Sequence, residues 1–233
     1  MCALCGTETV EFEDLSQQAK DNAIRLYGEP PDDWYECVYE RFKEEGFAKG
    51  FSIDEIQFSG FSSQGDGASW TGCVQLMPFI EHFVTHEHPE FSRYTVLVEL
   101  IRNQWVEPTM GVQRKSFYYN HSGTMSYEGI KCFASLGEDN GDVLDYGILQ
   151  GASVHELDQA IDTERLVCEL EEFAISRAKE YADEIYDALR QEYEGYTSEE
   201  AFKDLIYING WRFNNKGEIE DGIQVTSSVC HTL

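Results

Sequence analysis

The sequence predicts an α+β fold, in which an antiparallel sheet built from hairpins has helices packed on one face and a long acidic helix lies in the C-terminal part. Three observations support this prediction. Apolar and polar residues alternate over 68–76, which is the period of a half-buried strand. The glycine-rich turn at 64–67 joins that strand to an earlier apolar run. Apolar residues recur at steps of three and four over 154–193, which is the period of an amphipathic helix.

The chain length and composition favour a single globular domain. The 233 residues are 42% hydrophobic and 13% aromatic, which is enough to build a core. Because the sequence contains no Pro/Ser-rich linker, internal repeat or low-complexity tract, we predict one domain over residues 1–233. Within it, residues 56–130 form a central hairpin region and residues 154–208 form a helical region.

The N-terminal part is predicted to contain one strand and two helices. Residues 2–12 alternate as a strand, and Asp14 or Ser16 then caps a helix that ends at Gly28 and the following prolines. The aspartates at 32–33 cap a second helix. Its inward-facing residues are predicted to be Trp34, Cys37, Val38, Phe42 and Phe47.

Two hairpins and two intervening helices are predicted in the middle of the chain. The first hairpin covers 56–76. Helical segments follow from Pro78 to about His86 and from Glu90 to Trp105. Pro108–Gly111 is predicted to be a turn. Residues 114–130 alternate as a second hairpin, which is expected to pair with the first in one antiparallel sheet.

The C-terminal part is predicted to be mainly helical. The long helix over 154–193 is expected to end at Gly195, and a capping box at 197–200 begins a shorter helix that reaches Ile208. A small hairpin is expected over 211–219, since an Asn-Gly turn precedes it and an Asn-Lys-Gly turn divides it.

Net charge is the most unusual property of the chain. It has 44 acidic and 17 basic residues, for a formal net charge of −27. Such a charge repels nucleic acid phosphates and anionic membranes, so we expect no direct binding to DNA, RNA or lipid headgroups. A basic protein partner, mimicry of a nucleic acid, or solubility alone would each explain it.

The long helix is the main candidate for a partner-binding surface. Residues 156–204 include sixteen acidic and five basic side chains. Seven of these acids are predicted to form a ridge: Glu169, Glu172, Glu180, Asp183, Glu184, Asp187 and Glu194. DNA also presents regularly spaced negative charge along a rod, so the ridge has the chemistry to occupy a basic groove. The alternative is that these acids are the solvated face of an amphipathic helix.

The turn at 64–67 is the second candidate site. It resembles an anion-binding loop, but neither a following Lys-Ser/Thr nor a helix start accompanies it, so a P-loop does not fit. One interpretation is a hairpin turn whose side chains bond back to its own amides. The other is a small-ligand site, for a nucleotide or a hydrolysable substrate, with His121 as a general base. Its candidate residues are Gln64, Asp66, Ser69, Trp70, Tyr119 and His121.

The sequence gives little support for a metal or another cofactor, and we predict none. His82 and His86 share a helical face and His88 follows, but the metalloprotease glutamate is missing between them. Cys2 and Cys5 form one Cys-x-x-Cys pair without a second. No catalytic motif of a serine hydrolase, cysteine protease or deaminase is found.

The compartment is inferred from cysteine usage and hydropathy. Seven cysteines at irregular spacing do not form a secreted disulfide framework, which predicts thiols in a reducing cytoplasm. No apolar run of transmembrane length and no basic leader is found.

The stretch from Phe58 to Gly72, which reads FSGFSSQGDGASWTG, is similar to an SGFxSQGDGAxFxG core in uncharacterised proteins of tailed bacteriophages and prophages. In those proteins two acidic helices precede the core. A Tyr-x-His stretch (here 119–125), a long acidic helix and an Asn-Gly-x-x-Phe hairpin (here 209–213) follow it. Trp70 stands where the pattern has Phe. Some members are labelled antitoxin-like, and the resemblance implies a phage origin rather than a mechanism.

The leading hypothesis combines the charge with this resemblance. It is a phage-encoded, non-enzymatic acidic inhibitor, located in the host cytoplasm, that binds the basic surface of a bacterial defence or nucleic-acid-handling protein, with DNA mimicry as one form of that binding. The alternatives are a small-ligand site at 62–69 and an antitoxin-like partner of a basic toxin. The sequence does not indicate the oligomeric state.

Overall fold

The computed structural model describes residues 9–84, 95–132 without 103, 105 and 117, and 154–221. Helices and antiparallel strands occur together in these residues, and the long acidic helix is present, so the predicted α+β class is confirmed. Several sequence predictions lie outside the described residues. They concern Cys2, Cys5, His86, His88 and most of the predicted N-terminal strand.

The secondary structure elements are numbered in chain order. The α-helices in the described residues are α1 (Gln17–Tyr27), α2 (Glu36–Ala48), α3 (Leu76–Phe79), α4 (Thr95–Arg102), α5 (Val154–Tyr196) and α6 (Glu199–Asn209). The strands are β1 (Phe51–Phe58), β2 (Ala68–Gln75), β3 (Thr109–Arg114), β4 (Met125–Tyr127), β5 (Arg212–Phe213) and β6 (Ile219–Asp221). A π-helical turn, Ile80–Val84, continues α3.

The chain divides into two compact units. One consists of Met1–Cys37 together with Ala188–Leu233, and the other is Val38–Asp187. We refer to them as the terminal unit and the central unit. The organisation as a single domain remains a prediction.

The central unit contains a four-stranded antiparallel sheet in the order β1-β2-β3-β4. Ile56 pairs with Trp70, and Val74 pairs with Phe51 on one side and Met110 on the other. The predicted antiparallel sheet is therefore confirmed, but the residues that pair with β2 are 109–112, which precede the predicted second hairpin at 114–130. Because directly paired residues share a face of the sheet, these apolar side chains lie together on one face.

The strands differ from the prediction in three places. Residues 109–111 belong to β3 rather than to a turn, since Met110 and Val112 are buried on the core face and pair with β2 and β4. Residues 118–120 are not a strand. Tyr118 and Tyr119 are both exposed, so this segment has no buried side to favour alternation. The first strand also begins earlier than predicted, at residue 51.

Strand β1 contains a bulge. The register with β2 shifts between Ile53 and Glu55, so Asp54 has no paired residue on that strand. Lys43 Nζ instead donates a hydrogen bond to the Asp54 carbonyl at 2.9 Å. The bulge also brings the backbone of β1 close to Gly72, where a Cβ would lie 2.0 Å from the Ser52 carbonyl oxygen.

The core of the central unit forms between the sheet and α5. The indole N–H of Trp70 donates to the Ala178 carbonyl at 3.2 Å, and the Tyr181 hydroxyl donates to the Phe42 carbonyl at 2.7 Å. The rings of Phe51 and Tyr181 lie 4.9 Å apart. Other apolar side chains in this core are fully buried: Leu76, Phe79, Leu97, Met125, Leu170 and Ile185.

The second helix buries a narrower stripe than predicted. Val38, Phe42 and Gly46 are buried at four-residue steps, whereas Phe47 is 70% exposed. Cys37 is also exposed. Tyr181 packs tightly against Gly46. The buried face of α2 is therefore the one that contains Gly46, and Phe47 lies on a different face.

The terminal unit has its own small core. Its buried residues are Phe12, Leu15, Ala19, Ala23, Phe202, Trp211 and Phe213. Val10 and Phe213 exchange two backbone hydrogen bonds, which is the described remainder of the predicted N-terminal strand. Ser16, one of the two predicted candidates, caps α1. Helix α6 is capped by Ser198, which lies within the predicted capping box at 197–200. Strand β5 pairs with β6 in the predicted hairpin. Gly195 lies within the last turn of α5 rather than ending it.

Candidate functional site

The glycine-rich loop between β1 and β2 is held by its own hydrogen bonds. The Asp66 carboxylate accepts from the amides of Ser62 and Ser63, at 2.9 and 2.6 Å. The Ser59 amide donates to the Gly67 carbonyl at 3.0 Å, which closes the loop at its base. Gly65 has a φ of 107°, which favours glycine. The carboxylate is thus engaged by the turn itself, as the hairpin-turn interpretation predicts.

A second loop, residues 118–124, lies against this turn. A Cβ on Gly67 would be only 2.5 Å from the Cβ of His121, so the two loops touch at these residues. His121 Nδ1 accepts from the Gly123 amide at 3.1 Å, and its backbone exchanges two bonds with the Thr124 hydroxyl. The imidazole therefore acts as a local cap in the structure.

Asn120 connects the two loops to the sheet. Its side-chain nitrogen, Nδ2, donates to the Phe58 carbonyl at 3.4 Å. Its side-chain oxygen, Oδ1, accepts from the Ser69 hydroxyl at 3.5 Å and from Arg114 Nη1 at 3.4 Å. The Ser59 hydroxyl donates to the Asn120 carbonyl at 3.3 Å. No local sequence pattern marks Asn120, because most of its partners lie far from it along the chain.

Replacing Asn120 with alanine is expected to lower the unfolding free energy by about 1–3 kcal/mol, since the fully buried Ser69 hydroxyl would lose its acceptor. Urea unfolding followed by circular dichroism measures this change. Gln64→Ala is the matched control, because Gln64 is an exposed side chain in the adjoining loop, and its effect should stay within about 0.5 kcal/mol. Equal effects of the two substitutions would contradict the anchoring role of Asn120.

The six predicted ligand residues do not face one space. Trp70 is fully buried and points to α5, while its neighbour Ser69 contacts Asn120. Successive residues of a strand point to opposite faces, which explains this separation. Gln64 and Tyr119 are exposed, so only Asp66, Ser69 and His121 lie around the contact between the two loops.

An aromatic stack fixes the other side of the glycine-rich loop. The Phe61 ring stacks on Phe58 at 5.6 Å and on Tyr186 at 5.5 Å. The Tyr186 hydroxyl donates to the Gly60 carbonyl at 3.1 Å. The loop conformation is therefore tied to α5 through these contacts.

Of the eight acidic residues at 164–187 of α5, most lie on one face of the helix. At 3.6 residues per turn, six of them fall within an arc of about 120° that is opposite the buried residues. These six are Glu169, Glu172, Glu180, Asp183, Glu184 and Asp187, and we call them the acidic face. All are exposed except Glu169, which is half-buried. Glu194, the seventh predicted residue, belongs to the terminal unit.

Three members of the acidic face have basic partners. Arg177 lies 2.7 Å from Glu180, Arg165 lies 3.5 Å from Glu169, and Lys49 lies 3.9 Å from Glu184. For Glu172 and Asp183, the described part of the chain provides no salt-bridge partner. The negative charge is therefore concentrated where these two side chains lie.

Tyr127 lies beneath part of this face. Its hydroxyl is buried and has no hydrogen-bond partner among the described residues. Burial raises the pKa of Tyr127, and the nearby Asp183 carboxylate raises it further. Tyr127 is thus neutral at physiological pH, and it adds no charge to the acidic face.

The histidine cluster is only partly described. His82 is half-buried in the π-helical turn, with its ring 4.7 Å from that of Phe83. His86 and His88 lie outside the described residues. Over 9–84, 95–132 and 154–221, no three His, Cys, Asp or Glu side chains gather in a way that would hold a metal ion. Within the same ranges, no helix has the length and apolarity needed to span a membrane.

Comparison with known proteins gives one match. A family model described as "Domain of unknown function (DUF8835)" matches residues 34–199, which include the whole central unit with both loops and the acidic face. No curated protein and no solved structure matches the chain.

Proposed function

We propose that this chain, which belongs to the DUF8835 family of unknown function, is a non-catalytic acidic inhibitor that binds the basic surface of a bacterial protein. The acidic face of α5 is the proposed contact surface. In the finer form of the proposal, the chain is phage-encoded, acts in the host cytoplasm, and blocks a defence or nucleic-acid-handling enzyme by occupying its DNA-binding groove.

The observation that supports this proposal is the placement of Glu172, Asp183 and Asp187. All three are exposed on one face of a helix whose opposite face is buried against the sheet. A packed helix holds the backbone of its exposed charged residues at fixed spacing, so binding needs no further ordering of the backbone at this surface. The net charge of −27 adds long-range attraction to a basic partner at low salt.

The spacing of charge supports mimicry of DNA only in a general way. From Glu169 to Asp187 the helix rises about 27 Å and presents six carboxylates, or one per roughly 5 Å. A DNA strand presents one phosphate per 3.4 Å of helix axis. The acidic face is thus a sparser rod of charge, and the basic neighbours Lys49, Arg165 and Arg177 reduce it further.

The small-ligand alternative has one favourable observation, which is the contact between the loops of Gly67 and His121. Against it, the Asp66 carboxylate is already bonded to amides of its own loop, and Trp70 is buried in the core. An antitoxin-like role would use the same acidic face as the inhibitor. The two differ only in the partner, which affinity purification from bacterial cells followed by mass spectrometry would identify.

Reversing the charge of three residues on the acidic face should weaken binding to the identified partner. For the variant Glu172→Lys, Asp183→Lys and Asp187→Lys, we expect an increase in Kd of about 10- to 100-fold at low salt, since three attractions become repulsions. Titration calorimetry at several salt concentrations measures both the loss and its salt dependence.

The control reverses three exposed acids of the terminal unit: Glu29→Lys, Asp204→Lys and Glu220→Lys. It changes the net charge by the same amount as the first variant. We expect it to retain most of the affinity. If both variants lose affinity equally, the effect comes from net charge alone and the acidic face is not the contact surface.

A further inference from the structure

The segment after β4 runs along α5 in the opposite direction. The Tyr127 ring centre lies 6.0 Å from Lys179 Nζ, and the Ile130 amide donates to Glu171 Oε2 at 2.9 Å. Ile130 itself is buried. The segment and the helix therefore run antiparallel: as residue numbers rise along the segment, they fall along α5. The residues that follow Ile130 approach the helical turn that precedes Glu171.

This register places Cys132 of the segment beside Cys168 of α5. Two extended residues separate Ile130 from Cys132 and span about 6.6 Å, while the three helical residues from Glu171 back to Cys168 span about 4.5 Å. Cys168 and Glu171 share a helix face, since they are three positions apart. A backbone bridge between Val106 and Cys132 fixes the position of the second cysteine.

Electrostatics agrees with this placement. Burial raises the pKa of the Cys132 thiol, and Glu164 and Cys168 raise it further. Both of these neighbours belong to α5, on successive turns of the helix. Cys132 is half-buried and Cys168 is exposed, so a reagent in solution reaches Cys168 first.

We propose that Cys132 and Cys168 form a reversible disulfide site, at which a low-molecular-weight disulfide oxidises the two thiols and joins the segment after β4 to α5. Both residues lie in the central unit, within the range that the family model matches. The site is independent of the proposed function. Its position beside Glu169 means that oxidation fixes the end of the acidic face that lies towards the helix N-terminus.

The chemistry balances with glutathione disulfide as the oxidant. The Cys168 thiol loses its proton to solvent, and the thiolate attacks one sulfur of the reagent. This forms a mixed disulfide and releases the first glutathione. Cys132 then loses its proton, attacks the Cys168 sulfur and expels the second glutathione. Two protein thiols are oxidised, one disulfide reagent is reduced, and the raised pKa of Cys132 makes the second step faster as pH increases.

Native protein incubated with glutathione disulfide tests the proposal. Peptide mapping should show a linked Cys132–Cys168 peptide as the main product, which a thiol reductant removes. Oxidation should also raise Tm by about 5 °C or more, because the bond closes a long loop of the unfolded chain. Cys132→Ser should instead accumulate glutathione on Cys168, and Cys73→Ser should leave the bond unchanged.

The same oxidation in concentrated urea provides the reference. The preference for the Cys132–Cys168 bond should disappear there, because the pairing depends on the folded register. The proposal would be overturned if native wild-type protein kept glutathione on Cys168 without forming the internal bond. It would also be overturned if native and unfolded protein gave the same mixture of disulfides.

Discussion

Replacing Trp70 with alanine is expected to lower the unfolding free energy of the central unit by about 3–5 kcal/mol. The indole is fully buried between the sheet and α5, where its ring lies 5.6 Å from that of Phe51. Its removal leaves a cavity and also abolishes the hydrogen bond to the Ala178 carbonyl. Urea unfolding followed by far-ultraviolet circular dichroism measures the loss.

Two further substitutions define what the tryptophan contributes. Trp70→Phe retains most of the apolar volume and removes the indole N–H, so its cost should be clearly smaller than that of the alanine variant. Tyr118→Ala removes an aromatic ring that is 88% exposed and should change stability by no more than about 0.5 kcal/mol. A Trp70→Ala variant as stable as Tyr118→Ala would contradict the described core.

Replacing Gly72 with alanine is expected to destabilise the central unit by about 3 kcal/mol or more. Gly72 has a φ of 144°, and an added Cβ would lie 2.0 Å from the Ser52 carbonyl oxygen. That oxygen belongs to the neighbouring strand, so the clash is relieved only by moving β1 away from β2. Thermal and urea unfolding measure the effect.

Gly65→Ala separates the steric clash from the backbone strain. Gly65 also has a positive φ, of 107°, but within the described residues no atom lies closer than 4 Å to the position that an added Cβ would take. Its substitution should therefore cost only the strain of that conformation, about 1–2 kcal/mol. If Gly72→Ala were no more destabilising than Gly65→Ala, the close approach of the two strands would be wrong.

Local signals account for the parts of the fold that the sequence predicted well. The long helix is evident from its 3.6-residue period, and the caps of α1 and α6 lie at or near the predicted positions because their signals are side chains beside the first turn. The strand alternation around Trp70 is equally local. Strand β3 was missed because Pro108 and Gly111 suggest a turn, whereas the partners that make it a strand lie in β2 and β4.

The candidate site was less predictable, because its contacts are distant in sequence. The bonds of Asp66 to its own loop follow from the turn composition. The contacts of Asn120 with Phe58 and Ser69 cross more than fifty positions, and no periodic pattern reveals them. The pair Arg165–Glu169 follows from helical spacing, but Lys49 beside Glu184 does not.

The bulge in β1 has a consequence for self-association. This strand is an edge of the four-stranded sheet in the described residues, and a regular edge strand is a template on which a second chain can pair. At Asp54 the regular hydrogen-bonding pattern is interrupted, and the Asp54 carbonyl accepts a hydrogen bond from Lys43 Nζ. Two adjacent carboxylates, those of Asp54 and Glu55, are exposed to solvent. The bulge and the two carboxylates together therefore disfavour edge-to-edge pairing of the sheet with a second chain.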